Sequence, residues 1–202
     1  MRIITLAFLF SFWAFGQQES VLVIGNHSNI CFDNCPAVEI TDSFPDDLEV
    51  YSVILLFSNS TSQLKSDNIN QLAQFLERGG GLYSGSENWP MQAESNQITH
   101  YLYKKESFGN FNINETEVSQ VNGNLNLQEL PAIPAGTSTV AFPLDYRLQV
   151  EVWLNDQALI LSGNIGEGRI IIDGGYSRFY CSQRTNVTDA LLDKIVMYLL
   201  GY

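Results

Sequence analysis

Basic side chains are scarce in this sequence of 202 residues, which contains 10 lysines and arginines against 22 aspartates and glutamates. The formal net charge is -12. No cluster of lysine or arginine forms the positive stripe that binds phosphate backbones or anionic lipids, so the sequence argues against nucleic acid and anionic membrane surfaces as partners. We interpret the acidic balance itself as a feature of solubility.

Histidine and cysteine are also few, with two and three copies. Cys31 and Cys35 lie in an early polar loop and Cys181 lies in a late loop, without the paired Cys-x-x-Cys spacing of a zinc site. We therefore expect no metal and no cofactor. An odd number of cysteines leaves one thiol over. We expect a disulfide between Cys31 and Cys35, with Cys181 paired to one of them as the alternative.

Long apolar runs are missing after the first sixteen residues, so we expect no stable insertion into a membrane. Residues 1–16 combine one positive charge, an apolar stretch and small residues at Ala14 and Gly16, the pattern of a secretory signal peptide. Cleavage is expected before Gln17, which leaves a single domain over residues 17–202. We expect this domain to be secreted or periplasmic, where an oxidising environment favours a disulfide.

A strand–helix–strand unit is the clearest pattern present in the sequence. Val53–Phe57 is an unbroken apolar run, as expected of a parallel strand covered on both faces. Ser66 is a suitable N-cap for the following amphipathic helix, and Gly79 can adopt the left-handed conformation that closes it. A short strand at residues 82–84 follows. The turn after it lies at the carboxyl edge of the sheet, where ligands bind in open α/β folds.

The remaining predicted elements surround this unit. The loop at residues 26–36 is too short for a crossover helix with its turns. A final helix is capped by Asn186 or Thr188 and stopped by Gly201. The fold class is α/β, a mostly parallel, flavodoxin-like three-layer sheet flanked by helices, with a β-rich excursion around residues 108–165. The other predicted strands are Val21–Gly25, 37–40, 138–142, 148–153, 157–161 and 169–173, and the other predicted helix is Ala93–Tyr103.

Two stretches together resemble the class I glutamine amidotransferase-like superfamily, namely VILLFSNS…INQLAQFLERGGGLY and GEGRIIIDGGYSRF followed by DALLDKIVMYLL. Their order is similar to the non-catalytic branch, which includes ThuA-like proteins and the GIFT domain of intraflagellar-transport proteins. Catalytic members place a Cys in the turn after the post-glycine strand, and a His and a Glu late in the chain. Here the turn at residues 83–87 has no Cys, and no His follows His100. The resemblance therefore implies a domain that has kept the sheet and lost the chemistry.

The carboxyl edge of the sheet is the candidate ligand-binding crevice. Asp173 is expected there as a cap or as the partner of Arg178. Trp89 beside polar side chains suits a sugar, although it can equally pack under the following loop. We expect a non-catalytic binding or scaffolding role, with an unidentified protein or carbohydrate partner at the cell envelope. The predicted crevice residues are His27, Ser84, Ser86, Glu87, Trp89 and Asp173.

A secreted serine hydrolase is the alternative function. Ser84 or Ser86 would be the nucleophile, His100 the base and Glu87 or Glu94 the group that orients the imidazole. The G-x-S-x-G pattern that exposes such a serine on a strained turn is absent. We therefore place this alternative second.

Overall fold

The structure is a computed structural model that describes residues 20–32, 38–59, 64–105, 110–111, 118–120 and 123–202. Its strands are β1 (Val21–Gly25), β2 (Val38–Thr41), β3 (Val53–Phe57), β4 (Gly81–Gly85), β5 (Asn110–Phe111), β6 (Val118–Gln120), β7 (Thr139–Val140), β8 (Leu148–Leu154), β9 (Gln157–Ile165) and β10 (Gly168–Asp173). Its α-helices are α1 (Ser66–Glu77), α2 (Ala93–Tyr103) and α3 (Asn186–Leu200).

One mixed sheet carries the fold, with strand order β2-β1-β3-β4-β10-β9-β8-β6. The first five strands pair in parallel and the last three add to them antiparallel. The parallel half has the flavodoxin-like order. The predicted α/β class and mostly parallel sheet are therefore confirmed. Strands β5 and β7 form a separate antiparallel pair.

Strand β3 shows why the apolar run is unbroken. Val53, Leu55 and Phe57 contribute to the core under α3, whereas Ile54 and Leu56 contribute to the core under α1 and α2. All five side chains are fully buried. Because alternate residues of a strand point to opposite faces, a strand covered on both sides needs an apolar residue at every position.

The predicted helix caps are partly corrected. Ser66 is the first residue of α1 rather than its cap, and no side chain caps that helix. The cap of α3 is Thr185, whose hydroxyl accepts from the amide of Thr188 while Thr188 bonds back to the amide of Thr185. Gly79 adopts the predicted left-handed conformation, with φ of 100°, and Gly201, which was predicted to stop the last helix, has φ of 98°. Among the described residues, no helix combines the length and apolar character that a membrane crossing requires.

The β-rich excursion of the sequence becomes the antiparallel half of the sheet. Strand β9 runs four residues beyond its predicted end because it pairs with β10 in a hairpin. Strand β8 bulges at Glu151, whose buried carboxylate accepts from the amides of Asn124 and Leu125 and from the hydroxyl of Ser162. These hydrogen bonds anchor the loop at Asn124 and Leu125 to strand β8.

Candidate functional site

The carboxyl ends of β4 and β10 bring four of the six predicted crevice residues together. Strands β4 and β10 are parallel neighbours, with Asp173 in register with Gly85. Ser84, Ser86 and Asp173 are fully buried, and Glu87 is 4% exposed. All four side chains are closed to solvent, and Ser84 bonds to Ser95 of α2 whereas Asp173 bonds to Tyr83 and Arg178.

A buried ion pair closes this edge. Asp173 ends β10, and both of its carboxylate oxygens accept from Nη1 of Arg178, at 2.9 and 2.7 Å. Asp173 also accepts from the hydroxyl of Tyr83 and from the amide of Gly175. Arg178 donates through Nη2 to the carbonyl of Ala135 at 2.8 Å. The predicted pairing of Asp173 with Arg178 is confirmed, and both side chains are fully buried.

The segment that carries Arg178 is a short 3-10 helix, Tyr176–Phe179, which we call the covering turn. Its first amide, that of Tyr176, donates to the carbonyl of Ser86 at 3.2 Å. The hydroxyl of Tyr176 donates to the carbonyl of Ser58, and that hydroxyl accepts from Nδ2 of Asn26. The covering turn therefore spans the ends of β1, β3 and β4.

Glu87 is the second acid under the covering turn. Its Oε1 accepts from the amide of Ser177 at 2.6 Å. Burial raises the pKa of Glu87 from 4.5 to about 7, against the opposing effects of the bond to Ser177 and the charge of Arg178. A buried acid with a shifted pKa is common at functional sites, but here its hydrogen bond holds two parts of the backbone together.

The two candidate nucleophiles have no imidazole partner. The hydroxyl of Ser84 bonds to that of Ser95 in α2 at 3.0 Å, and Ser95 donates onward to the carbonyl of Gly85. Oγ of Ser86 has no hydrogen-bond partner within the described residues. His100 lies on the exposed side of α2 and lines a groove with Ile69 and Tyr101. The three side chains of the hydrolase hypothesis are therefore not brought together.

The last two predicted crevice residues lie outside the buried cluster. His27 follows β1, and its Nε2 lies 3.1 Å from Oδ1 of Asp42, which is almost fully exposed. Trp89 is 69% exposed. Trp89 is therefore exposed and His27 is only 18% exposed, whereas Ser84, Ser86, Glu87 and Asp173 are buried.

The disulfide prediction of Cys31 with Cys35 is wrong. The bond joins Cys31 to Cys181, with Cα atoms 5.2 Å apart and a sequence separation of 150. This is the alternative pairing. An isolated antiparallel bridge between Ile30 and Tyr180 and a hydrogen bond from the amide of Cys181 to the carbonyl of Asn29 align the two loops. Cys35 lies outside the described residues.

A separate open cleft lies at the carboxyl ends of β1 and β3. Its volume is about 640 Å³, and its walls include Gly25, Asn59 and the start of α1. Glu94 of α2 also lines it, is 4% exposed, and has its pKa raised to about 7 by burial. The sequence proposed Glu94 only as an orienting acid for a hydrolase and did not reveal this cleft, because its walls come from four separate segments.

Neither in the cleft nor at the buried edge do the described residues form a group of metal ligands. Within the described ranges, no group of three or more His, Cys, Asp or Glu side chains is placed to hold a metal ion. The lining of the cleft includes carboxylate, amide and hydroxyl groups.

No protein-family model and no curated protein sequence matches the chain. Several solved structures do match the chain in fold. A ThuA-like protein from Bacteroides uniformis superposes with a TM-score of 0.60 at 12% identity, covering 91% of each chain. The N-terminal domain of mmIFT52 gives a TM-score of 0.67 at 8% identity, over 91% of this chain and 98% of that one.

The same fold also occurs inside a larger enzyme. A β-galactosidase from Rahnella sp. R3 matches 90% of this chain with only 32% of its own length, at a TM-score of 0.58 and 12% identity. At such low identities the likeness shows the fold alone. The chain therefore shares its fold with a ThuA-like protein and with the N-terminal domain of mmIFT52, in agreement with the resemblance carried by its two sequence motifs.

Proposed function

We propose that the chain is an exported binding domain that has kept the amidotransferase-like fold without bond-making or bond-breaking chemistry. One observation carries the proposal. The turn after β4, where the resemblance places the nucleophile of catalytic members, is buried beneath the covering turn and held there by the Asp173–Arg178 ion pair. Ser84 and Ser86 are both fully buried, and Ser84 also bonds to Ser95 of α2, so neither hydroxyl is presented to a substrate.

Export is supported by two independent features. The leader at residues 1–16 has the composition of a signal peptide. The Cys31–Cys181 disulfide suits an oxidising compartment, since such bonds are rare in reducing cytoplasm. Mass spectrometry of the protein recovered after secretion tests this step, with a mature amino terminus at Gln17 as the expected result.

Binding at the cell envelope is supported by the exposed side chain of Trp89, which lies beside the closed edge. Trp89 presents most of its indole ring to solvent, and large exposed aromatic rings are common in sugar and protein contacts. A protein partner stays open as the second possibility.

Two assays test the proposal. A fluorophosphonate probe should label the mature protein no more than a Ser84→Ala, Ser86→Ala double variant; labelling of the wild type alone would restore the hydrolase alternative. On a glycan array, binding should disappear in Trp89→Ala and persist in Tyr146→Ala, a matched variant at another highly exposed aromatic residue. Glycan binding unaffected by Trp89→Ala would remove Trp89 from the binding surface.

A further inference from the structure

Strand β2 is the last strand at one edge of the eight-stranded sheet. It pairs with β1 in parallel, in a continuous register from Val38 to Thr41. Within the described residues, no strand pairs with β2 on the side away from β1. Alternate residues of an edge strand direct their amide and carbonyl groups away from the neighbouring strand, so β2 presents backbone donors and acceptors on this side. We call this side of β2 the open edge.

The open edge lacks several features that commonly prevent strand pairing. Edge strands are often protected by lysine, by proline or by a bulge that twists the edge away. The sequence of β2 is Val-Glu-Ile-Thr, which contains neither lysine nor proline, and its register with β1 has no bulge. Valine, isoleucine and threonine all favour extended backbone. The backbone of β2 is therefore suited to pairing with a further strand.

The two faces of β2 offer different side chains to such a strand. Val38 packs partly against the core under α3, and Ile40, two residues later, is 50% exposed. Glu39 is exposed and lies beside Tyr51, which belongs to the core under α1 and α2. Because alternate residues of a strand point to opposite faces, an added strand meets an apolar surface on one face and a carboxylate on the other.

Negative charge dominates the sequence around the open edge. No lysine or arginine occurs between Arg2 and Lys65, a stretch that contains β1, β2 and β3. His27 and Arg78 each pair with one acid of the connection after β2. Charge complementarity therefore favours a cationic segment as the occupant of the open edge. The exposed acids of that connection are Asp42, Asp46, Asp47 and Glu49.

We propose that the open edge binds an extended segment of a partner protein in which apolar residues alternate with lysine or arginine. The segment adds to the sheet beside β2, with its apolar side chains next to Ile40 and its basic side chains toward Glu39. In this mode of recognition, main-chain hydrogen bonds give affinity and alternate side chains give specificity.

A second copy of the chain does not supply such a segment. In a strand with alternating basic and apolar side chains, successive basic residues are two positions apart. No two lysines or arginines of this sequence have that spacing. The open edge also lies on β2, away from the closed edge and Trp89, both of which follow β4. The inference therefore goes beyond the proposed function and does not depend on it.

Fluorescence anisotropy with a labelled hexapeptide of alternating valine and lysine tests the proposal on the mature protein. We expect saturable binding of this peptide, and binding weaker by about tenfold or more when glutamate replaces lysine, because the carboxylates then face like charge. Equal binding of the two peptides would overturn the proposal.

Two N-methylated versions of the valine–lysine peptide separate strand addition from attraction between charges alone. Each version carries methyl groups on one alternate set of backbone amides, and so blocks one edge of the peptide. Only one edge of an added strand faces β2, so one version should lose binding and the other should retain it. Binding that survives in both versions would contradict strand addition.

The variant Ile40→Lys places an edge-protecting residue on β2 and should weaken peptide binding by about tenfold or more. Met197→Lys makes the same change at an apolar residue of α3 that is 48% exposed, and should bind as the wild type does. Equal affinities of the two variants would overturn the proposal. If Ile40→Lys does not fold, the N-methylated peptides with the wild-type protein decide instead.

Sedimentation of the protein without peptide covers the other possible occupant. A wild-type dimer that binds no peptide and becomes monomeric in Ile40→Lys would assign the open edge to a second copy, and the proposal would be wrong. The fluorophosphonate and glycan results do not depend on β2, so failure of this inference is distinguishable from failure of the proposed function.

Discussion

Arg178 has the largest fully buried side chain among the described residues. Its charge is balanced by Asp173, and Tyr83 and Gly175 complete the hydrogen bonds of the carboxylate. A buried ion pair adds little net stability because both ions lose their water, but removing one partner leaves an uncompensated charge. The pair therefore acts to hold the covering turn in one position.

Arg178→Ala should lower the free energy of unfolding by about 3–5 kcal/mol, because Asp173 then stays buried without its counter-charge. Arg78→Ala is the matched control: Arg78 pairs with Glu49 at 2.7 Å, but both side chains are exposed. That variant should change stability by about 0–1 kcal/mol. Urea unfolding of both variants is the measurement, and equal losses would show that the buried pair has no special role.

Glu87 makes stability depend on pH. Its pKa in the folded protein is about 7, above its ordinary value of 4.5, so the folded state retains a proton that the unfolded chain releases. This contribution is full below about pH 4.5 and is lost as the pH rises through about 7. Glu87→Gln should reduce the change in unfolding free energy across this pH range by about 3 kcal/mol, since one pKa unit corresponds to about 1.4 kcal/mol.

Chemical denaturation at pH values below, within and above this window measures the effect. Glu167→Gln serves as the control, because that side chain is exposed and its removal should leave the profile as in the wild type. An unchanged slope in Glu87→Gln would mean that the buried carboxyl does not carry the pH dependence.

At the scale of secondary-structure elements, the sequence predicted bounds best where a single local pattern determines them. Val53–Phe57 and Ala93–Tyr103 are found with the predicted bounds, because an unbroken apolar run and a helical stripe are local signals. The cap of α3 was misplaced, since Thr185, Asn186 and Thr188 are all acceptable caps and only the backbone path selects Thr185. The length of β9 depended on its pairing with β10, which is not a local property.

Helix α3 covers the face of β3 and β4, and its capping box contributes to holding it there. Thr185→Ala removes the hydroxyl that accepts from the amide of Thr188, so we expect a loss of about 1 kcal/mol in unfolding free energy. Ser182→Ala, at an exposed neighbouring position, should be neutral. Thermal unfolding compares the two; equal midpoints would show that the cap does not stabilise α3.

At the scale of the whole molecule, the fold was predictable and the closure of its edge was not. The α/β class followed from the sequence patterns, but the order of the strands in the sheet did not, and the covering turn depends on contacts across 90 residues between Glu87 and Ser177. The disulfide shows the same limit. Sequence proximity favoured Cys31 with Cys35, but the loops that follow β1 and β10 meet at the Ile30–Tyr180 bridge and bring Cys31 to Cys181 instead.

The Cys31–Cys181 bond closes a loop of 150 residues, so its loss should be costly. Loop-closure entropy predicts about 4–5 kcal/mol for a ring of this size. The double variant Cys31→Ser, Cys181→Ser should unfold at correspondingly lower urea, whereas Cys35→Ser should unfold as the wild type does. Peptide mapping without reductant identifies the bond directly, and a Cys31–Cys35 peptide would contradict the structure.

The closed edge is the central claim, and amide hydrogen exchange in the folded mature protein tests it most directly. The amides of Tyr176 and Ser177 are bonded to Ser86 and Glu87, so they should exchange as slowly as those of Leu82 and Ile171 in the adjoining strands. Exchange at the rate of an exposed loop would mean that the covering turn opens freely. In that case Ser86 is accessible, and the account of a domain without chemistry fails.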